Sequence, residues 1–360
     1  MTTESRFSVP DDIAVRVNEA DMRFTVESLF ATKGMTAEAA ARAADTLLYA
    51  DLRGIDSHGV SNMFPIYLQW FDDGTLNPTP TPRVVREAAA VATIDDDGGL
   101  GLATGPRAMD LAIAKAAECG IGAVSVTNGR HYGAASYHAH MAVPHGMIGV
   151  SMTIGGLQVL PTFGAEPMVG LNPIAVAVTG GDEPAFVFDA SMSSVAGNKI
   201  RIARRLGSTV APGWIATADG EPILTESAVP SSFHMLPAGG TRDGGSHKGY
   251  GLAAMVDILC GILGGDPPGF LRAPGDVSHH FLAYRIDAFC DPDAFTTHMQ
   301  TFLRGLRETP PAPGHNRVLY AGLAEHETEA ERRANGIPYH PDVVRWFADT
   351  ANELGAAHRL

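Results

Sequence analysis

Gly99-Leu100-Gly101-Leu102-Ala103-Thr104 is the stretch on which the fold turns. A dinucleotide fingerprint reads G-x-G-x-x-G between a strand and a helix. Its first glycine makes the tight turn, its second lets the backbone approach a pyrophosphate, and its third packs the helix onto the strand. This stretch has the first two glycines and a threonine at the third position. It also stands where a strand should meet a helix. From about Val91 the composition shifts to Gly, Val, Ile and Ala, while Met109, Ala112, Ile113 and Ala116 keep a helical period that Gly120 stops. Pro106 suits the first position of that helix. The chain therefore reads as an α/β protein without the Rossmann motif. A Walker A loop, H-E-x-x-H and G-x-S-x-G are also missing, which argues against a P-loop NTPase, a zincin and an α/β-hydrolase.

Short β-like runs follow at Ile121 to Val126, Met147 to Ile154, Pro173 to Val178, Phe186 to Phe188 and His280 to Ile286. A helix is predicted from Gly249 to Leu263, stopped by Gly264-Gly265. Upstream, Thr36 reads as an N-cap with Glu38 in the first turn, and Ala40, Ala43, Ala44, Leu47 and Leu48 share one face. That helix runs on toward Asp51-Leu52-Arg53-Gly54. Pro-rich links at Asn77 to Pro82 and Pro310 to Pro313 mark boundaries, and the tail from about Glu325 is charged and helical. The outline is a helical lobe from both termini (1–82 and 314–360) around a central α/β body (83–313).

With 360 residues and 45% apolar composition the chain can bury a sizeable core. A net charge of −14 argues against nucleic acid, whose phosphates are bound by clustered Lys and Arg. Cys119, Cys260 and Cys290 form no CxxC pair, and neither a zinc knuckle nor a disulfide framework is suggested. The stretch MTTESRFSVPDD has no apolar signal core, and Gly249 to Gly265 contains Asp257 and is too short to span a bilayer. The expected setting is the cytoplasm, with no membrane partner.

Four polar clusters could carry chemistry. Asp51-Leu52-Arg53-Gly54-Ile55-Asp56-Ser57-His58-Gly59-Val60 ends a helix and holds a histidine, the side chain suited to proton transfer near neutrality; a plain helix C-terminus capped by His58 and Arg53 is the alternative. Asn128-Gly129-Arg130-His131-Tyr132-Gly133 follows a strand, where α/β proteins place ligand contacts, or is a polar turn. His138 and His140 nearby raise a metal-dependent hydrolase, although helical i,i+2 spacing points them apart. Gly244-Gly245-Ser246-His247-Lys248-Gly249-Tyr250-Gly251 leads into a helix, and free N–H groups there could hold a phosphate. Phe188-Asp189-Ala190-Ser191 ends an apolar strand, with an acid placed to meet ribose hydroxyls or to cap the next helix. The run Arg201-Ile202-Ala203-Arg204-Arg205 is either a grip for a 2′-phosphate or a solvated helix face.

In order, D-L-R-G-x-D-S-H-G-V, N-x-x-H-Y-G-A-A-x-Y, F-G-A-x-P-x-x-G-L-N-P, D-A-S-M-S, G-W-x-x-x-x-D-G and H-K-G-Y-G-L-A resemble the malate/L-lactate dehydrogenase-like family, over residues 20 to 345. That family includes diketogulonate reductases, ureidoglycolate and sulfolactate dehydrogenases and Δ1-piperideine-2-carboxylate reductases. The resemblance implies a non-Rossmann NAD(P)-binding fold with a central mixed sheet, working as a homodimer on a small-molecule substrate. It places the proton-donating histidine at His58 with Ser57 beside it. It places cofactor contacts, to NAD or NADP, at Phe188, Asp189, Ala190, Ser191, Lys248 and Gly249. His247, Asn172 and Pro173 join by proximity. Asn62 stands where many relatives carry an arginine for the substrate carboxylate, which leaves Arg53, Arg130 or His131 to take that role. The implied reaction is hydride transfer between nicotinamide and a 2-hydroxy/2-oxo acid; reduction of a cyclic imine and a cofactor-binding protein without turnover are the alternatives.

Overall fold

The computed structural model describes residues 9–360, so the first eight residues of the polar stretch at 1–12 lie outside it. Helices α1 (Glu19–Thr32), α2 (Ala37–Leu52) and α3 (Val60–Asp72) open the chain. Thr36 caps α2 by accepting from the Ala39 N–H at 3.2 Å, as its position before an amphipathic run predicts. The predicted α2 face is fully buried. It shares one apolar core with Phe30 of α1, Phe64 and Tyr67 of α3, and Ile337, Tyr339 and Phe347 from the far end of the chain. The two ends meet again in an antiparallel ribbon, Val15–Val17 against Ile337–Tyr339. This ribbon interrupts the predicted C-terminal helix, whose first part ends at Gly336 with φ 84°.

The body is a seven-stranded mixed sheet. Its strands run in the spatial order Arg83–Glu87, Val91–Asp95, Ile121–Gly129, Val277–Arg285, Met147–Thr153, Ile174–Val178, Phe186–Ala190. Within this sheet only Val91–Asp95 and Ile121–Gly129 pair in parallel, and α4 (Gly101–Cys119) crosses between them. The stretch Gly99–Thr104 therefore occupies the strand-to-helix turn where a Rossmann enzyme binds pyrophosphate. Here protein fills that space. A Cβ on Gly101 would lie 2.5 Å from the Arg130 carbonyl oxygen, and the Thr104 hydroxyl donates to Asp96 at 2.7 Å. The two glycines serve backbone packing, which is why the fingerprint is incomplete.

Pro106 lies inside α4, and the helix begins five residues earlier than the proline suggests. A proline there deprives the carbonyl four residues back, Leu102, of its helical donor. The Thr46 hydroxyl of α2 supplies the replacement at 3.0 Å, in a buried position. Helix α5 (Ala135–His140) and α6 (Gly197–Arg205) follow, and α7 (Ser246–Cys260) starts and stops three residues before the predicted bounds, with a single 3-10 turn at Ile262–Gly264 beyond it. Helix α8 (Pro292–Arg307), unassigned in the sequence, is capped by Asp291, which accepts from the N–H groups of Asp293 and Ala294. Helices α9 (Leu323–Asn335) and α10 (Pro341–Leu354) end the chain. A small sheet of two- and three-residue strands, Ile215–Ala216, His234–Met235, Leu157–Val159 and Val169–Gly170, adds a second core of its own. Among the described residues no helix is long and apolar enough to cross a membrane.

Thr46→Val keeps the shape and removes the donor to Leu102. Leaving that buried carbonyl unpaired should cost about 1–3 kcal/mol, read as a lower midpoint of denaturant unfolding with an unchanged slope. An unchanged midpoint would show that Pro106 is tolerated without help.

Candidate active site

The turn between α2 and α3 is built from one buried carboxylate outward. Asp51 accepts from the Val60 N–H at 3.1 Å, capping α3 from the end of the preceding helix, and from the Tyr339 hydroxyl at 2.9 Å. Gly59 is obligatory beside it, since a Cβ there would lie 1.7 Å from Asp51 Oδ1. Burial pushes the Asp51 carboxyl up to about 7. Arg332 of α9 pairs with Asp56 at 2.6 Å and also donates to the Asp51 carbonyl. Arg53 is equally engaged: it pairs with Glu329 at 2.8 Å, donates to the Gly322 carbonyl and lies over the Tyr49 ring. Most of the polar residues in this cluster thus tie the turn to the C-terminal helices, and Ser57 and His58 are left facing inward.

They face a cavity of about 1210 Å³. Ser57 Oγ lies 2.9 Å from His58 Nδ1. The His58 and His131 rings stack with centroids 5.7 Å apart and planes at 14°. His131 Nδ1 accepts from the Gly133 N–H at 3.3 Å, so neutral His131 carries its proton on Nε2, and the Tyr67 hydroxyl completes the contact at 2.7 Å. Burial, with the Lys199 charge as a second cause, holds His58 down to about 4. Burial, with His58 next, holds His131 down to about 3. Both imidazoles are neutral at pH 7.

Across the cavity, Phe188, Asp189, Ala190 and Ser191 form the end of the last sheet strand, and Pro173 lies beside them. Asp189 accepts from the Ser136 N–H at 2.7 Å, and burial pushes its carboxyl up to about 6. Leu157, Trp214 and Phe233 add apolar wall, and Gln158, Ser193 and Ser194 add polar groups. The cavity thus gathers Ser57, His58, Arg53, His131, Pro173 and the strand end Phe188 to Ser191.

Other candidates lie outside the cavity lining. Asn62 is buried under the turn, where its amide donates to the Ser57 carbonyl at 3.2 Å and its Oδ1 accepts from Arg205 at 3.2 Å. Arg130 is spent on the carbonyls of Thr75 and Gly129 and on Asp276. Asn172, held at φ 43°, bridges the Gly155 N–H and the Ala253 carbonyl. His247 and Lys248 are exposed on α7, and Gly249 lies within that helix because a Cβ would meet the Ala238 backbone at 2.4 Å. His138 is fully buried and its Nε2 meets the Tyr132 carbonyl at 2.8 Å, while His140 packs edge-on to Tyr49. No group of three His, Cys, Asp or Glu side chains suited to a metal occurs among the described residues.

Helix α6 is what sequence reasoning underused. It brings Asn198, Lys199, Arg201 and Arg204 to the cavity wall. The Asn198 amide donates to the Ser57 carbonyl at 2.8 Å, so two asparagines hold the residue before His58. The signal was present, since this basic run follows directly on the strand end that lines the cavity.

A large cleft with a paired serine and histidine on one wall and a strand-end aspartate opposite is suited to a small molecule. The sequence profile of the malate/L-lactate dehydrogenase family matches residues 17–347, and the chain belongs to that family. It is 35% identical to a malate dehydrogenase of Pyrococcus abyssi over 351 residues, 96% of each chain. It is 29% identical to an Escherichia coli O157:H7 ureidoglycolate dehydrogenase (NAD(+)), covering 94% of this chain and 96% of that one. The solved structure of malate dehydrogenase from Pyrococcus horikoshii OT3 superposes with a TM-score of 0.89 at 33% identity, over 98% of this chain and 99% of that one. The mixed α/β architecture expected from the sequence is thereby shared with structures of the family.

Lys199→Met removes a like charge from beside His58, which raises the imidazole's proton affinity. The His58 pKa should move up, while staying below the ordinary histidine value because burial remains. NMR titration of the His58 ring in the variant against the parent protein measures it; an unmoved pKa would remove Lys199 from the electrostatics of His58.

Proposed function

We propose that this chain is an NAD(P)-dependent oxidoreductase that transfers a hydride between nicotinamide and the carbon of a 2-hydroxy/2-oxo acid, with His58 as acid/base. The observation that carries the reading is the joint placement of Ser57-His58 and the strand end Phe188 to Ser191 on one cavity. At about 1210 Å³ it is larger than the roughly 300–1,000 Å³ of an ordinary small-molecule site, which suits a dinucleotide together with a small acid. Its mixture of flat apolar wall and isolated polar groups suits rings and ribose hydroxyls. The names of the relatives, malate and ureidoglycolate dehydrogenases, support the substrate class, and one of them supports NAD.

Phe188, Asp189, Ala190, Ser191 and Pro173 hold the cofactor in this reading, and its nicotinamide supplies or accepts the hydride. Lys248 and Gly249 enter through the family resemblance alone, and His247 and Asn172 by proximity in the sequence. On the chain's own side, His58 Nδ1 is engaged by Ser57, which leaves Nε2 as the nitrogen that exchanges the proton. In oxidation Nε2 takes the hydroxyl proton as hydride leaves, and neutral His58 is ready for this at pH 7. In reduction a protonated His58 gives that proton back, readily, because its burial favours the neutral form. Ser57, with its carbonyl held by Asn62 and Asn198, fixes the direction of the ring.

We also assign the chain to a homodimer. The outward face of α7 and the turns beyond it expose Leu252, Met255, Ile258, Ile262, Leu263 and Leu271, the last two at 61% and 66%. A contiguous apolar face of this kind marks an interface on a protein otherwise rich in acid. Equilibrium sedimentation should give twice the chain mass, and Ile258→Asp with Leu263→Asp should give the chain mass; a parent protein that sediments as one chain would refute the assignment.

Fluorescence titration with NADH and NADPH, followed by a turnover screen over 2-oxo acids and cyclic imines, tests the reaction. His58→Ala should lower turnover by about 10²–10⁴-fold with cofactor binding kept. A loss below about threefold would remove His58 from the proton transfer. Turnover of cyclic imines with none of 2-oxo acids would move the substrate class to imines, and binding of neither cofactor would end the proposal.

A further inference from the structure

We infer that Arg201 grips the carboxylate of the substrate, so that the chain selects acids over their esters and amides. The inference rests on the 2-hydroxy/2-oxo acid reading and names the recognition element of the same site. Helix geometry carries it. Residues 198, 201 and 205 fall on one face of α6, three and four positions apart. The outer two have fixed contacts with the turn that bears His58: Asn198 donates to the Ser57 carbonyl at 2.8 Å, and Arg205 donates to Asn62 Oδ1 at 3.2 Å. Arg201 lies between them on the stripe directed at that turn, and it lines the cavity together with His58 and His131.

The other guanidinium groups of the cavity wall have partners in the protein. Arg53 pairs with Glu329, Arg272 pairs with Asp266 and Asp276 and keeps its buried Nη1 without a hydrogen bond among the described residues, and Arg204 donates to the Pro230 carbonyl. Of the nearby acids, Asp56 is taken by Arg332 and Asp189 by the Ser136 N–H. Arg201 makes no ion pair or side-chain hydrogen bond among the described residues, and its charge bears on His131. A planar guanidinium with this freedom matches a carboxylate through two parallel hydrogen bonds. A carboxylate held there lies on the His58 side of the cavity, where the adjacent carbon has to be for the proton to reach Nε2. A 2′-phosphate belongs instead at the far end of a dinucleotide, away from the histidine pair.

The test compares the parent protein with Arg201→Met and Arg201→Lys, using a 2-oxo acid that the parent turns over, its methyl ester, and both reduced cofactors. Arg201→Met should raise KM for the acid about 10- to 100-fold, the loss of a charged hydrogen-bonded contact, with a smaller change in kcat. Arg201→Lys should recover part of it, and the preference for the acid over its methyl ester, read as the ratio of their kcat/KM values, should fall in Arg201→Met. Binding of NADH and NADPH should stay unchanged. An unaltered KM for the acid in Arg201→Met overturns the inference alone, as does a selective loss of NADPH binding, which would make Arg201 a cofactor residue. Absence of turnover of every 2-oxo acid by the parent overturns the reading beneath it as well. Unchanged thermal midpoints in both variants, expected for an exposed side chain, exclude misfolding as the cause.

Discussion

The active-site turn depends on the burial of one carboxylate. Asp51 sits at the last turn of α2, caps α3 through Val60 and accepts from Tyr339, while Gly59 is kept small to make room for it. An ionised carboxylate in such a place costs several kcal/mol unless it is well bonded, and the shift of this group toward neutrality shows that cost. The reward is positional: Val60 and Asp51 fix the two ends of the turn, and the residues between them have few ways to run. Ser57 and His58 point inward because Arg53 and Asp56 are pulled outward by α9.

Helix α6 gives that turn its second anchor. Asn62 holds the Ser57 carbonyl from below and Asn198 holds it from the side, and Arg205 ties the first asparagine to the same helix. The histidine turn and the cationic wall are therefore bonded to each other directly.

Much of the fold was legible because the signals were local. Thr36 announced α2, Gly120 ended α4, and four strands of the large sheet lay in β-like runs of six or more residues, while Arg83–Glu87, exposed throughout, gave no such signal. The small sheet was not, since strands of two or three residues have no period to detect. Pro106 misled about the start of α4 because its cost is met by Thr46, a residue of another helix. Helix α8 was missed although Asp291-Pro292 is a helix start, because its apolar face is shallow, with Leu303 alone fully buried. At the site, His58 and the strand end at Asp189 stood out as residue types in turns. The division of labour among Arg53, Arg130 and Arg201 did not, because it depends on which carboxylates and carbonyls the fold brings to each guanidinium.

The contacts that hold the active-site turn span nearly the whole chain: Asp51 to Tyr339 is a separation of 288 residues and Asp56 to Arg332 one of 276. During synthesis the N-terminal helices emerge long before either partner exists. Loop closure over such distances is slow to reward itself, so the turn is among the last parts of the molecule to be set. A growing chain thus carries Ser57 and His58 in an unformed turn, and the wall they give the cavity is complete only when the final helices dock.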